Sequence, residues 1–299
     1  GMATVMENAK ELPGYLSVFN GYDASSGSAG SSGFLPKVST LAWGLGYFGM
    51  PHILLRFMAI KNEGDLKLSR RIASIWAVVS MSVAIFIGIV GYSVSKAGMI
   101  PELSTSSESE TVIIRIADLM SRNGLFLALV AGIILAGILA ATMSTADSQL
   151  LAASSSVSQD LMQDFFKVKL SQRATMIAAR ATVITIAVIA IILAWNPDSS
   201  VFRVVSFAWA GFGATFGPTM LLCLFWRRSN KQGAVAGLIA GGVMVFVWKF
   251  VIAPLGGAFA IYELLPAFII SFVVNIIVTN LTAAPAKDVT DVYDEVHAK

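Results

Sequence analysis

The chain has 299 residues, of which 56% are hydrophobic and only 13% are charged, and its mean hydropathy is +0.75. Soluble domains carry about 25% charged residues, so this composition excludes an ordinary soluble protein and indicates a polytopic membrane protein in a lipid bilayer. The single cysteine, Cys223, excludes an internal disulfide. The net charge of +3 is distributed over loops, which argues against a function in binding nucleic acid.

Seven apolar segments are long enough to cross a membrane as helices of about 20 residues. They are residues 38–60, 72–97, 124–157, 174–195, 202–226, 233–254 and 259–281. The chain is therefore predicted to be an all-α membrane protein with three parts. These parts are a polar segment outside the cytoplasm at 1–36, a transmembrane helical bundle at 37–282 whose first span is broken, and a charged cytoplasmic tail at 283–299. The Ser- and Gly-rich run at 25–33 predicts a flexible stretch within the first part.

The first apolar segment has glycines interleaved with aromatic residues, followed by a proline, and reads WGLGYFGMPH over residues 43–52. Glycine and proline weaken a helix, and an irregular helix at membrane depth is tolerated only where it is buried or lines a cavity. Trp43 and Tyr47 are four residues apart and share one helix face, where glycines let a ligand approach the backbone. The alternative is a kinked packing helix with interfacial aromatic residues, so the pattern alone leaves the role open.

Basic residues are concentrated in alternate connections between the apolar segments. They are Lys61, Lys67, Arg70 and Arg71 in the first connection, Lys167, Lys169 and Arg173 in the third, and Arg227, Arg228 and Lys231 in the fifth. Because loops rich in lysine and arginine stay on the cytoplasmic side, the pattern predicts a cytoplasmic C-terminus and an N-terminus outside. In the second connection, apolar residues at 112, 113, 116, 119 and 120 predict a short surface helix.

The third apolar segment is interrupted by small polar residues in the run ATMST, at residues 141–145. Ala141, Ser144 and Thr145 lie at positions i, i+3 and i+4, so they share one helix face. That face offers two hydroxyls and a backbone carbonyl, and neutral oxygens in a dry site suit a hard, weakly charged cation such as Na+. Because no glycine or proline occurs between residues 138 and 165, this segment is predicted to form the longest helix, unbroken at Ser144.

A third motif, SFAWAGFGATFGP at residues 206–218, is rich in small residues that allow helices to pack closely. Together with WGLGYFGMPHILLRFMA and AATMSTADSQLLAASSSVSQDL, it resembles the sodium:solute symporter family, and within that family the Na+/proline symporter branch. The resemblance extends over residues 33–282. It implies a fold similar to the inverted-repeat, LeuT-type transporters, in which ligands bind between broken helices near the middle of the membrane.

The resemblance also implies an activity and an ion site. The implied activity is Na+-coupled import of proline across the plasma (inner) membrane, which is transport and not an enzymatic reaction. The carbonyl of Ala141 and the hydroxyls of Ser144 and Thr145 are implied to coordinate Na+ as the coupling ion.

The implied substrate site contains Trp43, Tyr47 and Pro51, either at the bound proline or at its gate. Pantothenate or a monocarboxylate is the alternative substrate within the same family. The alternative to a transporter is a non-transporting membrane module, either a sensor domain or a defective fragment. A sensor would need a signalling domain after the last apolar segment, and the tail ending in KDVTDVYDEVHAK is too short for one.

Members of the family have about six more helices before the position at which this chain starts, and they include the first inverted repeat. The resemblance therefore implies that the chain is truncated at its N-terminus and lacks the N-terminal helices of the full-length transporter. Those helices would supply the remaining Na+ ligands and much of the contact with the substrate.

Overall fold

A computed structural model describes residues 1–17, 19–23, 27–31, 33–168, 171–195 and 200–298. The chain folds into two compact units, each made of two stretches of sequence. The first unit is formed by Gly1–Glu11 and Lys67–Val201, and the second by Leu12–Leu66 and Phe202–Lys299. Lys169, one of the basic residues that predict the orientation, lies outside the described residues.

Two strands and several short helices form the N-terminal part of the chain. They are helix α1 (Met2–Lys10), strands β1 (Asn20–Asp23) and β2 (Ser28–Ser31), and helices α2 (Phe34–Leu41), α3 (Trp43–Gly46) and α4 (Pro51–Met58). The strands pair antiparallel, with Gly21 opposite Gly30. The prediction of a flexible stretch is therefore wrong for residues 28–31. The pairing is made by backbone hydrogen bonds, so a strand can form here although its residues have small side chains. Ser25, Ser26 and Ser32 of that run lie outside the described residues.

Long helices and two short ones form the middle of the chain. They are α5 (Asp65–Lys96), α6 (Ser106–Glu110), α7 (Val112–Ser121), α8 (Leu125–Ser155) and α9 (Gln172–Leu193). A π-helical segment, Ser156–Phe165, continues α8, so that one helical rod of 41 residues runs from Leu125 to Phe165. It is the longest helix among the described residues and, as predicted, it is unbroken at Ser144. The short helix predicted in the second connection is present as α7, which packs against α8.

Four further α-helices lie in the part of the chain described after residue 200. They are α10 (Val201–Phe225), α11 (Lys231–Val247), α12 (Leu264–Leu281) and α13 (Lys287–His297). A π-helical segment, Trp248–Ile252, and a 3-10 turn, Ala253–Leu255, continue α11 as far as Leu255. The oxygen of the Asn230 side chain accepts a hydrogen bond from the backbone N of Gly233 at 2.8 Å and so caps α11. The amide nitrogen of the same side chain donates to the carbonyl of Ala283 at 2.8 Å. Asn230 therefore ties the start of α11 to the segment that follows α12.

Six helices of the described residues are long and apolar enough to cross a membrane. They are Asp65–Lys96, Leu125–Phe165, Gln172–Leu193, Val201–Phe225, Lys231–Leu255 and Leu264–Leu281, which correspond to the last six predicted segments. The predicted count of seven is not confirmed. The first segment, which the sequence predicts to be broken, is divided among α2, α3, a 3-10 turn at Tyr47–Gly49 and α4 and does not form one long helix. The six helices support a multi-pass membrane protein.

The core of the second unit lies where α10, α11 and α12 meet. Its buried residues are Ala210, Ala214, Val245, Leu264, Ala267 and Phe268. Small residues bring the helix backbones close together: a Cβ atom added at Gly241 of α11 would lie 2.3 Å from the carbonyl oxygen of Ala214. Close backbone packing of this kind is how helices associate where lipid removes the hydrophobic driving force.

A row of buried polar side chains on α12 faces α11. Ser271, Asn275 and Thr279 are each fully buried. The Ser271 hydroxyl donates to the carbonyl of Gly237 at 2.8 Å, and the Asn275 amide donates to the Thr219 hydroxyl of α10 at 3.3 Å. A buried polar group is costly unless it is hydrogen-bonded, so these bonds favour one alignment of the three helices.

Candidate functional site

Trp43, at the start of α3, lies in a stack of four aromatic rings, here called the aromatic stack. Its ring is nearly parallel to those of Phe202, Trp209 and Tyr262, with centroids at 5.4, 5.5 and 5.8 Å. The indole Nε1 of Trp209 also donates a hydrogen bond to the carbonyl of Trp43 at 3.0 Å. Aromatic pairs contribute about 0.5–1.5 kcal/mol each beyond their buried area, so the stack holds α3 firmly against α10.

Tyr47, in the 3-10 turn after α3, contacts the same stack. Its ring meets that of Trp209 edge to face, with the centroids 4.8 Å apart, and half of its surface is exposed. The structure therefore brings Trp43 and Tyr47 together through Trp209. Pro51 is exposed at the first position of α4 and follows Met50, whose backbone is extended.

Two glycines of the motif WGLGYFGMPH are required by the close approach of this irregular segment to α10. A Cβ atom at Gly46 would lie 1.9 Å from Nε1 of Trp209, and one at Gly49 would lie 2.3 Å from the carbonyl oxygen of Phe212. Neither position therefore accepts a side chain without movement of the backbone or the ring. Gly44 differs, since a Cβ atom there would meet no atom within 4 Å. The glycines thus let the helix backbone, rather than side chains, form the contact with α10.

The segment before α12 also supports the aromatic stack. The Tyr262 hydroxyl donates to the carbonyl of Ser206 at 2.6 Å, and the backbone N of Tyr262 donates to the hydroxyl of Ser39 at 2.6 Å. The neighbouring Glu263 is buried, and its carboxylate pairs with Nζ of Lys249 at 3.1 Å. Because a buried charge without a partner is costly, Lys249 stabilises the carboxylate next to the stack.

Phe202, Trp209 and Tyr262 are not among the site residues that the sequence predicts. Trp209 belongs to the motif at 206–218, which from the sequence indicates only close helix packing. Phe202 and Trp209 are seven residues apart and share a face of α10, and this spacing is a signal that could have identified an aromatic face. Tyr262 precedes α12, and its contact with Trp43 gives no periodic signal in the sequence.

The candidate ion-site residues Ala141, Ser144 and Thr145 lie on α8, in the first unit. All three are exposed, so the described residues do not enclose them in the dry site that the sequence predicts. The Thr145 hydroxyl donates to the carbonyl of Ala141 at 3.0 Å. Because a hydroxyl has one proton and two lone pairs, this bond leaves the Thr145 oxygen available only as an acceptor.

The chemistry of this cluster is that of neutral oxygen atoms. Among the residues that the structure describes, no group of three or more His, Cys, Asp or Glu side chains could hold a metal ion. Hydroxyl and carbonyl oxygens suit a monovalent cation, whereas divalent and softer metals need carboxylate, imidazole or thiolate ligands. The cluster can therefore contribute oxygen ligands to a hard, weakly charged ion.

The chain is similar to several transporters. It is 41% identical over 251 residues to the osmoregulated proline transporter OpuE of Bacillus subtilis, an alignment that covers 84% of this chain and 49% of OpuE. It is 37% identical over 293 residues to the high-affinity proline transporter PutP of the same organism, with 98% and 57% covered. It is 37% identical over 292 residues to a sodium/proline symporter of Staphylococcus aureus, with 95% and 53% covered.

The chain spans about half the length of the curated relatives it matches. No solved structure matches it at a significant level. Residues 18–241 match the sodium:solute symporter family, and this range includes both the contact between Trp43 and Trp209 and the cluster on α8. These relatives are transporters and not enzymes. With most of its length matched, the chain belongs to the sodium:solute symporter family.

Proposed function

We propose that this chain is part of a secondary transporter that couples the inward movement of Na+ to the import of proline. The observation that carries the proposal is the 37–41% identity to relatives named for proline transport, over 84–98% of this chain. The energy source is the Na+ gradient. Each Na+ that moves inward contributes about 2.3 kcal/mol per 100 mV of membrane potential, in addition to its concentration gradient.

The substrate site in this proposal contains Trp43, Tyr47 and Pro51. The exposed half of Tyr47, next to the aromatic stack, offers an apolar surface against which a pyrrolidine ring can pack. The ammonium group of proline is attracted to aromatic ring faces. The irregular backbone from α3 to α4 leaves main-chain groups available for the carboxylate, as broken helices do in LeuT-type transporters.

The ion site in this proposal uses the Ala141 carbonyl together with the hydroxyls of Ser144 and Thr145. The Ala141 carbonyl accepts the Thr145 proton in this structure, so the hydroxyl proton has to turn away when the carbonyl binds Na+. The cost of this rearrangement is that of one exposed hydrogen bond, about 1 kcal/mol. Two hydroxyls and one carbonyl are fewer oxygens than a hard cation coordinates, so further ligands come from elsewhere in the transporter.

The exposed polar face of α8 supports a larger assembly. Ser144, Thr145 and Asp147 are exposed within a helix that is long and apolar enough to cross a membrane. Polar and ionisable side chains in a membrane face protein or a water-filled cavity, and not lipid. The matched residues make up only 49% and 57% of the length of OpuE and PutP. In our proposal, the N-terminal helices of a full-length, LeuT-type transporter cover this face and supply the remaining ligands.

The proposed location is the plasma membrane, the inner membrane in bacteria. The basic residues in alternate connections favour an N-terminus outside and a cytoplasmic tail from residue 283 onward. Under this orientation, α7 lies on the outer side and α13 on the cytoplasmic side.

The test is uptake of radiolabelled proline by the full-length transporter, titrated with both Na+ and proline. Ser144→Ala and Thr145→Ala should each raise the Na+ concentration for half-maximal uptake about tenfold, which corresponds to about 1.4 kcal/mol of binding energy. Ser144→Thr and Thr145→Ser keep the hydroxyl and should have smaller effects. Binding of Na+ and proline is reciprocally coupled, so the apparent affinity for proline should fall at fixed Na+.

The same assay separates the alternatives. Stronger inhibition of labelled proline uptake by pantothenate or by a monocarboxylate than by unlabelled proline would replace proline as the preferred substrate. An unchanged Na+ dependence in both alanine variants would remove the cluster on α8 as the ion site. Absence of uptake by a correctly inserted, full-length protein would favour a non-transporting sensor module.

A further inference from the structure

A cavity of about 630 Å³, open to solvent, lies in the first unit, between the C-terminal end of α8, the π-helical segment and α9. Seven of its ten lining residues carry a hydroxyl or an amide, and none carries a charge. Six of these polar residues are Ser154, Ser155, Ser158, Gln159, Gln163 and Thr175. At about 30 Å³ per water molecule, the cavity has room for about 20 of them. It can therefore hold a small ion together with much of its hydration shell.

The hydroxyls that line the cavity have already used their protons. Ser154 donates to the carbonyl of Leu151 at 3.0 Å, and Ser158 donates to the carbonyl of Ser154 at 2.7 Å. Thr175 donates to the carbonyl of Ser171 at 3.2 Å. Since a hydroxyl has one proton and two lone pairs, each of these oxygens can only accept from, or coordinate, a further partner. These acceptor oxygens suit a cation.

Gln163 extends this arrangement across the two helices. Its amide nitrogen donates to the carbonyl of Ser158 at 3.2 Å and to the hydroxyl of Thr175 on α9 at 3.3 Å. These two bonds use both amide protons and leave the side-chain oxygen as an acceptor. They also hold the π-helical segment against α9. Segments of π-helix are rare and are frequently found at functional sites.

We propose that this cavity is a second, weaker binding site for partly hydrated Na+, separate from the cluster formed by Ala141, Ser144 and Thr145. The neutral lining excludes tight binding of a divalent cation, which needs carboxylate ligands. Ser155 follows Ser144 by 11 residues on the same helical rod, or about 16 Å along its axis. The identity of the cation rests on the proposed function, since Na+ is the coupling ion there, whereas the preference for a monovalent cation comes from the lining itself.

The experiment measures how fast a water-soluble thiol reagent modifies single cysteines in the membrane-inserted chain. The background is Cys223→Ser, which removes the single native thiol. Ser155→Cys and Gln159→Cys each place a thiol in the cavity lining. Ser156→Cys is the matched control, because Ser156 is an exposed serine of the π-helical segment that does not line the cavity. Rates are compared in sodium chloride and in choline chloride at equal ionic strength.

We expect both cavity cysteines to react in choline chloride and to be slowed about threefold when Na+ is present at about twice its dissociation constant. The cysteine at position 156 should react equally in both salts. Adding Gln163→Leu should abolish the protection, because it removes the amide that joins the π-helical segment to α9. Adding Ser144→Ala and Thr145→Ala together should leave the protection unchanged.

Three results would overturn the proposal. They are a cavity cysteine that does not react, equal rates in the two salts, and equal slowing at position 156. Loss of protection on removing the Ser144 and Thr145 hydroxyls would assign the effect to the first ion site instead. Because the readout is a labelling rate, Na+ protection of the cavity cysteines can be observed even if the protein does not take up proline. Equally, loss of this protection would not contradict uptake of proline.

Discussion

The indole Nε1 of Trp209 donates a hydrogen bond to the main-chain carbonyl of Trp43 at 3.0 Å, and the two indole rings stack with their centroids 5.5 Å apart. The two residues are 166 positions apart in the sequence. One contact therefore joins the irregular α3 segment to the glycine-rich face of α10. The same Trp209 ring receives the edge of Tyr47, so its position determines how both candidate substrate-site residues are presented.

Gly46→Ala should disrupt the packing of α3 on α10, whereas Gly44→Ala should not. The Cβ atom added at position 46 would lie 1.9 Å from Nε1 of Trp209, and the one at position 44 would meet nothing within 4 Å. Overpacking of this kind costs about 1–3 kcal/mol. The measurement is thermal unfolding of the protein in detergent, followed by tryptophan fluorescence. Equal stability of the two variants would show that this close approach is absent in solution.

Tyr47→Ala should weaken proline uptake by the full-length transporter without reducing its amount in the membrane. Loss of the edge-to-face contact with Trp209 removes about 0.5–1.5 kcal/mol and should raise the proline concentration for half-maximal uptake several-fold. Tyr47→Phe keeps the ring and should stay close to the parent protein. The matched control is Phe48→Ala, which removes a neighbouring exposed ring outside the aromatic stack. An equal effect of the alanine changes at positions 47 and 48 would contradict a specific role for Tyr47.

Gly233→Ala should destabilise the pairing of α11 with α12 more than Gly242→Ala does. A Cβ atom at position 233 would lie 1.8 Å from the Thr279 hydroxyl oxygen and 2.8 Å from the carbonyl oxygen of Asn275. At position 242 the nearest atom, the Thr215 hydroxyl oxygen, is 3.4 Å away. Thr279 and Asn275 are fully buried and hydrogen-bonded, so neither can move aside easily to make room for the added Cβ atom. The expected loss is about 1–3 kcal/mol for position 233, measured by denaturant unfolding in mixed micelles.

The attachment of α13 should depend on pH through Asp294. Its carboxylate accepts two hydrogen bonds from the Arg227 guanidinium, at 2.7 and 2.6 Å, and these bonds lower the pKa of Asp294 below its ordinary value. A lowered pKa stabilises the folded form above the ordinary pKa of aspartate, and this contribution is lost as the pH falls through the lowered value. We therefore expect α13 to be attached at neutral pH and released in acid.

The measurement is the fluorescence anisotropy of a dye at Val296→Cys in the Cys223→Ser background, since Val296 is exposed on α13. Arg227→Gln should lower the anisotropy already at neutral pH. Arg228→Gln removes the same charge from the neighbouring residue and should leave the anisotropy unchanged. Because the pair is exposed, added salt should also weaken the attachment. A pH profile that is identical in the parent protein and in Arg227→Gln would exclude this ion pair as the attachment.

The sequence alone determined the membrane class, six of the long helices and the face shared by Ala141, Ser144 and Thr145. These features are local, because hydropathy over about 20 residues and a period of 3.6 residues are properties of a single segment. The unbroken helical rod that carries Ser144 also follows from the sequence, since no glycine or proline interrupts it.

Only the tertiary structure decided which residues meet. Trp209 and Tyr262 join Trp43 through contacts across 166 and 219 positions of sequence, and such contacts leave no periodic trace in either segment. The strand at residues 28–31 and the cavity beside the π-helical segment likewise depend on pairing with a second segment. Packing between distant segments depends on the shapes of both surfaces. The sequence pattern of one segment carries no information about the shape of the other.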